Sequence, residues 1–410
     1  MNTPDTPKNA FTSSSHGFSR RSFLQSVGLG AAALAAGQLG ATAAEKPIQG
    51  FEKASDADAS AGWKPVSDRK IRVGLIGYGV CKFSAAFGLQ DHPNVEIVAV
   101  SDLMPDRCAG LAKEARCAKT YPSLEELVKD DNVEAVFIAT DAPSHARHCI
   151  EALNHGKHVG CAVPAVFGSL EDAEKLFEAV KKSGRKYMMF ETSAFHEDLW
   201  AMRQLYQAGA LGKIIYSEGE YFHYMPEPID SYKGWRIGTP PQWYPTHSNA
   251  YYVSVTGGSF TEVSCLGTPS RLESLKPQNN GYKNPFGTEI AMFRTSEDGM
   301  SRMGVSWDTP GYGGEMGRMR GQKGSYYGKY EGTVKELPSF KRPPLPPTVA
   351  PGSHGGSHGY LTDEFITSIL QNRTPMVDIA SALNMSVAGI VAHSSAMKNG
   401  ELLKIPQYKI

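Results

Sequence analysis

Two histidines and a tyrosine in the second half of the chain are of the types that move protons near neutral pH. Tyr221 and His223 stand two apart in I-I-Y-S-E-G-E-Y-F-H-Y, so on a strand both side chains point to one sheet face. That face either lines a pocket or packs against a helix, and four aromatic or imidazole rings in Y-F-H-Y suit both. His247 ends W-Y-P-T-H just before a predicted helix over 248–254. On that turn it could exchange protons or bind hydroxyls, or merely cap the helix.

A second group of residues has the chemistry of diphosphate binding. The apolar run I-R-V-G-L-I leads into Gly77-Tyr78-Gly79-Val80-Cys81-Lys82. Glycine at 77 permits a tight turn, and glycine at 79 lets backbone N–H groups approach a pyrophosphate. Lys82 stands where a third glycine would bring helix and strand together. Asp102 closes the next strand-like run, V-E-I-V-A-V-S-D, about 25 residues after Gly77. A carboxylate there accepts bonds from adenosine ribose hydroxyls and repels a 2′-phosphate, which favours NAD over NADP. Arg107, close behind, either blurs that preference or is a solvated helix residue.

These residues need a scaffold, and the pattern supplies one. Apolar runs 71–77, 95–102, 135–140, 157–161 and 186–190 alternate with helical patterns at Leu124–Lys129, His145–Asn154 and Leu170–Lys182. Short continuous apolar strands separated by helices predict a doubly wound, parallel-sheet (Rossmann) α/β domain over 69–192. Beyond it, a helix at Leu199–Ala208 leads into strands that alternate with period two, F-T-E-V-S-C-L, T-E-I-A-M-F-R and M-G-V-S-W-D. Those predict an α+β domain over 193–410 with a large, open, mainly antiparallel sheet. Arg342 to Gly356, rich in Pro and Gly, reads as a long surface connection, with helices after it at Gly359–Gln371 and Ile379–Asn399.

The N-terminus reads as a processing segment. No Asp or Glu lies between Asp5 and Glu45, and S-R-R-S-F-L precedes a weakly apolar Ala- and Gly-rich run ending in A-T-A-A. Residues 1–44 are expected to be a twin-arginine export signal and 45–68 a polar tether, which places the mature protein in the periplasm or otherwise outside the cytoplasm. The remaining composition fits a soluble two-domain protein, 410 residues with 42 basic and 42 acidic side chains. That balance gives no reason to bind nucleic acid or to stay in a membrane after signal cleavage, so a small-molecule partner is expected. The six cysteines show no paired or C-x-x-C spacing, and no structural metal or disulfide framework is expected.

With those residues in view, the chain resembles the Gfo/Idh/MocA family of sugar-handling oxidoreductases. The similar motifs are R-V-G-L-I-G-Y-G, V-S-D-L-M-P-D-R, A-T-D-A-P-S-H with Thr140 and His145, A-L-N-H-G-K-H-V and G-Y-L-T-D-E-F. In that family E-K-P follows G-K-H-V; here Cys161-Ala162-Val163-Pro164 stands there, so the Glu and the Lys that serves near the nicotinamide are both replaced. V-P in that place, with S-E-G-E-Y-F-H, G-W-R, Y-P-T-H and a D-T segment followed by Tyr312, is similar to glycoside hydrolase family 109, typified by α-N-acetylgalactosaminidases.

The resemblance implies a bound, recycled NAD. Hydride leaves sugar C3, the C2 proton becomes acidic, the glycosidic bond is eliminated, water adds and the hydride returns. Net sugar oxidation and reduction, or a non-catalytic sugar-binding role, are the other readings, and relatives often form dimers or tetramers. His223, Tyr221, His247 and Tyr312 are then the catalytic candidates, and Trp235, Arg236 and Tyr244 the substrate-binding ones. Trp235 and Arg236 read equally well as a core Trp beside a surface Arg. Gly77 to Cys81, Asp102, Arg107, Thr140, His145 and Pro164 are the cofactor candidates, His145 as a positioning residue. His354 and His358 flank Gly355-Gly356, as part of a lid or exposed to solvent.

Overall fold

The computed structural model describes residues 48–52, 56 and 58–410. The export signal read at 1–44 lies outside the described residues. The first half alternates β1 (Ile71–Ile76), α1 (Phe83–Ala86), β2 (Val95–Ser101), α2 (Pro105–Glu114), β3 (Thr120–Tyr121), α3 (Leu124–Leu127), β4 (Ala135–Ile138), α4 (His145–Asn154), β5 (His158–Cys161), α5 (Leu170–Ser183) and β6 (Tyr187–Met189). The six strands form one parallel sheet in the order β3-β2-β1-β4-β5-β6. The order reverses between β1 and β4, and a crevice opens there at the strands' carboxyl ends. Every residue of β4 is buried, as expected of a strand covered on both faces.

The second half continues with α6 (Glu197–Gln207), β7 (Ile214–Phe222), α7 (Thr246–Thr256), β8 (Phe260–Pro269), β9 (Phe286–Thr295), β10 (Met300–Ser306), β11 (Gly314–Gly321), β12 (Gly324–Tyr326), β13 (Tyr330–Gly332), α8 (His358–Leu370), α9 (Ile379–Ala396) and β14 (Leu403–Lys404). Its eight-stranded sheet runs β13-β12-β11-β7-β10-β9-β8-β14, antiparallel except where β7 pairs with β10. Strands β11 to β13 escape the sequence reading because glycines and arginines replace the alternating apolar residues. Gly317 shows why: a Cβ there would lie 2.3 Å from the Tyr251 ring, so α7 can press against the sheet only over a bare backbone.

Helix α8 belongs to the second half in sequence but covers the first sheet. Phe365 of α8 meets Phe190, which meets Phe137 of β4, which meets Phe87, with ring centroids 5.6, 4.6 and 5.3 Å apart. All four are buried, each worth about 1.5–3 kcal/mol of apolar transfer. Thr362 Oγ1 donates to Phe87 O at 2.7 Å on the same face. Helix α9, with mean hydropathy 1.2, is 89% buried and is therefore a core helix, packed on β8, β6, α5 and α7.

Two loop expectations are corrected. The 342–356 connection has no helix or strand, as its prolines require, yet it is not a surface strand of chain: Arg342, Leu345, Pro346, Val349 and Pro351 are buried. The Arg342 guanidinium explains part of this, since it donates to the Phe195, Gly355 and Gly356 carbonyls at 2.9, 3.2 and 3.2 Å. The described part of the 45–68 tether is likewise docked, with Leu345 N donating to Ala59 O at 2.7 Å and His354 N to Gly50 O at 2.7 Å.

Candidate functional site

The carboxyl ends of β1, β2 and β4 border a cleft of about 990 Å³, partly open to solvent. Gly77, Gly79, Val80, Cys81, Asp102, Arg107 and Thr140 all line it, as the sequence predicts. Asp102 Oδ2 accepts from Tyr78 N at 2.6 Å and Oδ1 from Met104 N at 2.8 Å. Two backbone donors thus fix the carboxylate, and each oxygen keeps a lone pair for a ligand hydroxyl. Gly79 has nothing within 4 Å of where a Cβ would be, so its backbone is open to close approach. Open glycine backbone, a pre-aimed carboxylate and a long cleft together fit a dinucleotide.

Three predicted cofactor residues are placed otherwise. Tyr78 contributes its backbone, while its ring is buried against Gly110 of α2. His145 and Pro164 do not line the cleft: His145 Nδ1 lies 2.8 Å from Pro164 O and Nε2 3.2 Å from Thr140 O. Both neighbours are acceptors, so the ring serves as a double donor that ties the loop after β4 to the loop after β5. Burial opposes its charge, but Cys161 and the two carbonyls outweigh that and raise its pKa to about 9. The expected helix after the glycine turn is the single turn α1. Lys82, in the third-glycine position, takes the left-handed φ of 48° that glycine adopts freely.

A second cavity of about 470 Å³ adjoins the cleft, and Cys81, Phe83 and Arg236 line both. Tyr221, His223, Tyr244 and His247 from the predicted set face this inner cavity, together with Ala162 and Val163. The Tyr221 hydroxyl and His223 Nδ1 are 2.9 Å apart, which bears out their common face. With the phenol as donor, His223 presents Nε2–H to a ligand. Burial, then Arg236 and His247, pull its pKa down to about 4, so it is neutral at pH 7.

His247 begins α7 but does not cap it; its side chain makes no cap bond. Nδ1 lies 2.7 Å from Glu191 Oε1 and 3.6 Å from Glu315 Oε1, while Nε2 makes no hydrogen bond among the described residues. Burial alone would discharge this ring. Glu191 and then Glu315 outweigh it and raise the pKa to about 9. Glu191 is wholly buried, accepts from Ser193 N at 3.0 Å, and its Oε2 has no partner among the described residues, which makes His247 its main counter-charge. Burial would raise the Glu315 carboxyl, but His247, His196 and His354 hold it at about 2. Donor atoms of Glu191, His247 and Glu315 all lie within 4.8 Å of one another, a spacing a divalent cation could bridge. The 2.7 Å separation is nonetheless that of a charge-assisted N–H···O bond, and the ring proton already occupies the shared direction.

Two more calls are settled by placement. Tyr312 is 98% exposed on the loop between β10 and β11 and has no part in the cavity. Its position after Asp308-Thr309 is sequence proximity only. Trp235 borders the dinucleotide cleft rather than the inner cavity, and stacks under the Arg236 guanidinium at 4.2 Å. His354 lines the inner cavity, and His358 is buried behind it, its Nε2 2.9 Å from His354 Nδ1. Sequence reasoning missed Glu191, His196 and Glu315. Glu191 had a signal, as an acid directly after the apolar run of β6; Glu315, in a glycine-rich stretch, had none.

Replacing Asp102 by alanine is expected to weaken NAD binding by roughly tenfold to a hundredfold, the loss of charge-assisted bonds to ribose. The preference over NADP should narrow as well, since Arg107 borders the same cleft. Calorimetric titration with both dinucleotides reads both effects.

Residues 71–191 match the oxidoreductase family described as an NAD-binding Rossmann fold, Gfo/Idh/MocA. The chain is 31% identical over 244 residues to glycosyl hydrolase family 109 protein 1 of Bacteroides thetaiotaomicron, covering 55% of this chain and 51% of that one. It is 24% identical over 384 residues to a glycosyl hydrolase family 109 protein of Streptomyces niveus, covering 82% and 77%. The match thus spans about half the length of the Bacteroides relative. Among solved structures, levoglucosan dehydrogenase in complex with NADH and L-sorbose superposes with a TM-score of 0.67 at 18% identity, over 83% of this chain and 100% of that one. Apo scyllo-inositol dehydrogenase from Lactobacillus casei gives 0.64 at 17%, over 83% and 99%. These likenesses show the fold: a Rossmann domain followed by an open, mostly antiparallel sheet.

Proposed function

We propose, from the premise that residues 71–191 are a Gfo/Idh/MocA-type NAD-binding domain, that the protein acts on a carbohydrate by hydride transfer at a sugar carbon, as a redox-neutral glycoside hydrolase. The observation that carries this reading is the His247–Glu191 pair: its free Nε2 opens on an inner cavity that meets the dinucleotide cleft at Cys81 and Arg236. NAD, when bound, supplies the acceptor and later the donor of hydride.

His247 Nε2 takes the proton of a sugar hydroxyl, and Glu191 holds Nδ1–H and stabilises the imidazolium that forms. His223 Nε2–H and the Arg236 guanidinium donate to sugar oxygens and fix which carbon faces the cleft. Tyr244, whose hydroxyl burial pushes up to about 12, stays protonated as a further donor. Val163, in the place of the family lysine, leaves His247 as the proton carrier nearest the Ala162–Val163 wall. The glycosyl hydrolase names of the sequence relatives favour bond cleavage over net oxidation.

Adjacent Arg20 and Arg21 before a small-residue run support export of the folded, loaded enzyme, and relatives of this fold suggest a homo-oligomer. The deciding experiment incubates the purified protein with 4-nitrophenyl α-N-acetylgalactosaminide in deuterated water. Nitrophenol release with deuterium at C2 and no net NADH is the expected result. Net NADH would instead make the protein a sugar dehydrogenase. Neither product nor exchange, with NAD bound, would leave only sugar binding.

A further inference from the structure

One wall of the inner cavity comes from neither sheet. We propose that Ile48–Phe51, the arm leading into the first domain, is part of the substrate site, and that Gln49 is a specificity-determining residue whose side-chain carbonyl accepts from the bound molecule. Ile48, Gln49 and Phe51 all line the cavity. Three hydrogen bonds pin the arm over it. Gln49 Nε2 donates to Phe222 O at 3.1 Å, one residue before His223; His354 N donates to Gly50 O at 2.7 Å; Ser353 Oγ donates to Phe51 O at 3.2 Å.

Ring contacts complete the closure. Phe51 stacks on Phe83 of α1 at 5.4 Å and meets His354 edge-on at 5.1 Å. The arm therefore bridges the first domain, the end of β7 and the 342–357 connection, a set of anchors that a passive polar tether does not need. With Nε2 committed to Phe222, Gln49 Oε1 makes no hydrogen bond among the described residues. Ile48, Phe51 and Phe83 around it are apolar, so this oxygen is the acceptor the arm offers, suited to a sugar hydroxyl or an acetamido N–H. That part rests on the carbohydrate reading; the closure over the cavity does not.

Cys81 reports on the closure without any substrate. It lines both cavities, the other five cysteines are buried, and burial raises its thiol pKa, so the closed protein should react slowly with 5,5′-dithiobis(2-nitrobenzoate). Phe51→Ala, or a chain starting at Glu52, is expected to speed labelling by about tenfold or more. NAD affinity should stay within about twofold, because the arm does not border the dinucleotide cleft.

Gln49→Ala should leave labelling unchanged, raise KM for the nitrophenyl glycoside about tenfold and alter kcat by less than about twofold. Gln49→Glu keeps an acceptor and should restore most of the loss. Calorimetry with N-acetylgalactosamine reads the same contact if no glycoside turns over. Equal labelling of Phe51→Ala and the intact protein, or unchanged KM and sugar affinity in Gln49→Ala, would overturn the proposal. An inactive protein with accelerated labelling would refute the glycosidase reading and leave the arm's closure standing.

Discussion

Replacing His247 by alanine is expected to lower kcat by about 10²- to 10⁴-fold, the range that a positioned general base supplies, while NAD affinity and thermal stability change little. The substitution removes the ring whose Nε2 faces the cavity and leaves the glycine turn and Asp102 untouched. The pH profile identifies the group. With its pKa raised to about 9, His247 is an imidazolium at neutral pH and takes a proton only once deprotonated. In the free enzyme kcat/KM should therefore climb with pH and level off above about 9.

Glu191→Gln tests the cause of that limb. Burial pushes the His247 pKa down and Glu191 is the foremost group pushing it up, so without the carboxylate the limb must move to lower pH. The amide keeps an oxygen for Ser193 N, so the loop after β6 retains its bond. Rate at high pH should still fall, because the ring loses the partner that orients it. Glu315→Gln should shift the limb less, in keeping with its longer 3.6 Å separation. A limb that stays near 9 in Glu191→Gln would assign the titration to another group.

Legibility in the sequence followed how each residue is held. The first domain could be read because a strand buried on both faces is a short apolar run, and Gly77, Gly79 and Asp102 follow directly on such runs. Tyr221 and His223 were legible as a pair because strand geometry fixes alternate residues on one side. The proton-handling cluster was not. Glu191, His196, His247, Glu315 and His354 come from five separate stretches that meet only when α7, the start of β11 and the 342–356 connection converge. Tyr312 failed for the opposite reason, since closeness in sequence to Asp308 says nothing about which way an exposed loop turns. The polar look of 45–68 likewise hid its docking, which runs through backbone carbonyls and so leaves no trace in residue type.

Gly77→Ala is expected to abolish dinucleotide retention and to lower Tm by several degrees, whereas Gly79→Ala is expected to weaken binding with Tm unchanged. The two glycines serve different physical needs. Gly77 has φ 88°, and a Cβ would sit 2.5 Å from Ala139 O, in the backbone of the neighbouring strand's exit. Left-handed strain of about 1–2 kcal/mol adds to that clash, and β1 would have to move away from the loop after β4. Because Gly77 N also donates to Ser101 O at 2.8 Å, the shift would reach the end of β2 and carry Asp102 out of register with Tyr78 N. Gly79 has no such constraint: its φ is ordinary and its surroundings are empty, so a methyl group costs the apo protein nothing and stands only where a diphosphate would approach. Native mass spectrometry for bound dinucleotide and calorimetric melting separate the cases. Retention of NAD by Gly77→Ala, or a melting loss in Gly79→Ala as large as in Gly77→Ala, would contradict the assignment of the glycine turn to cofactor binding.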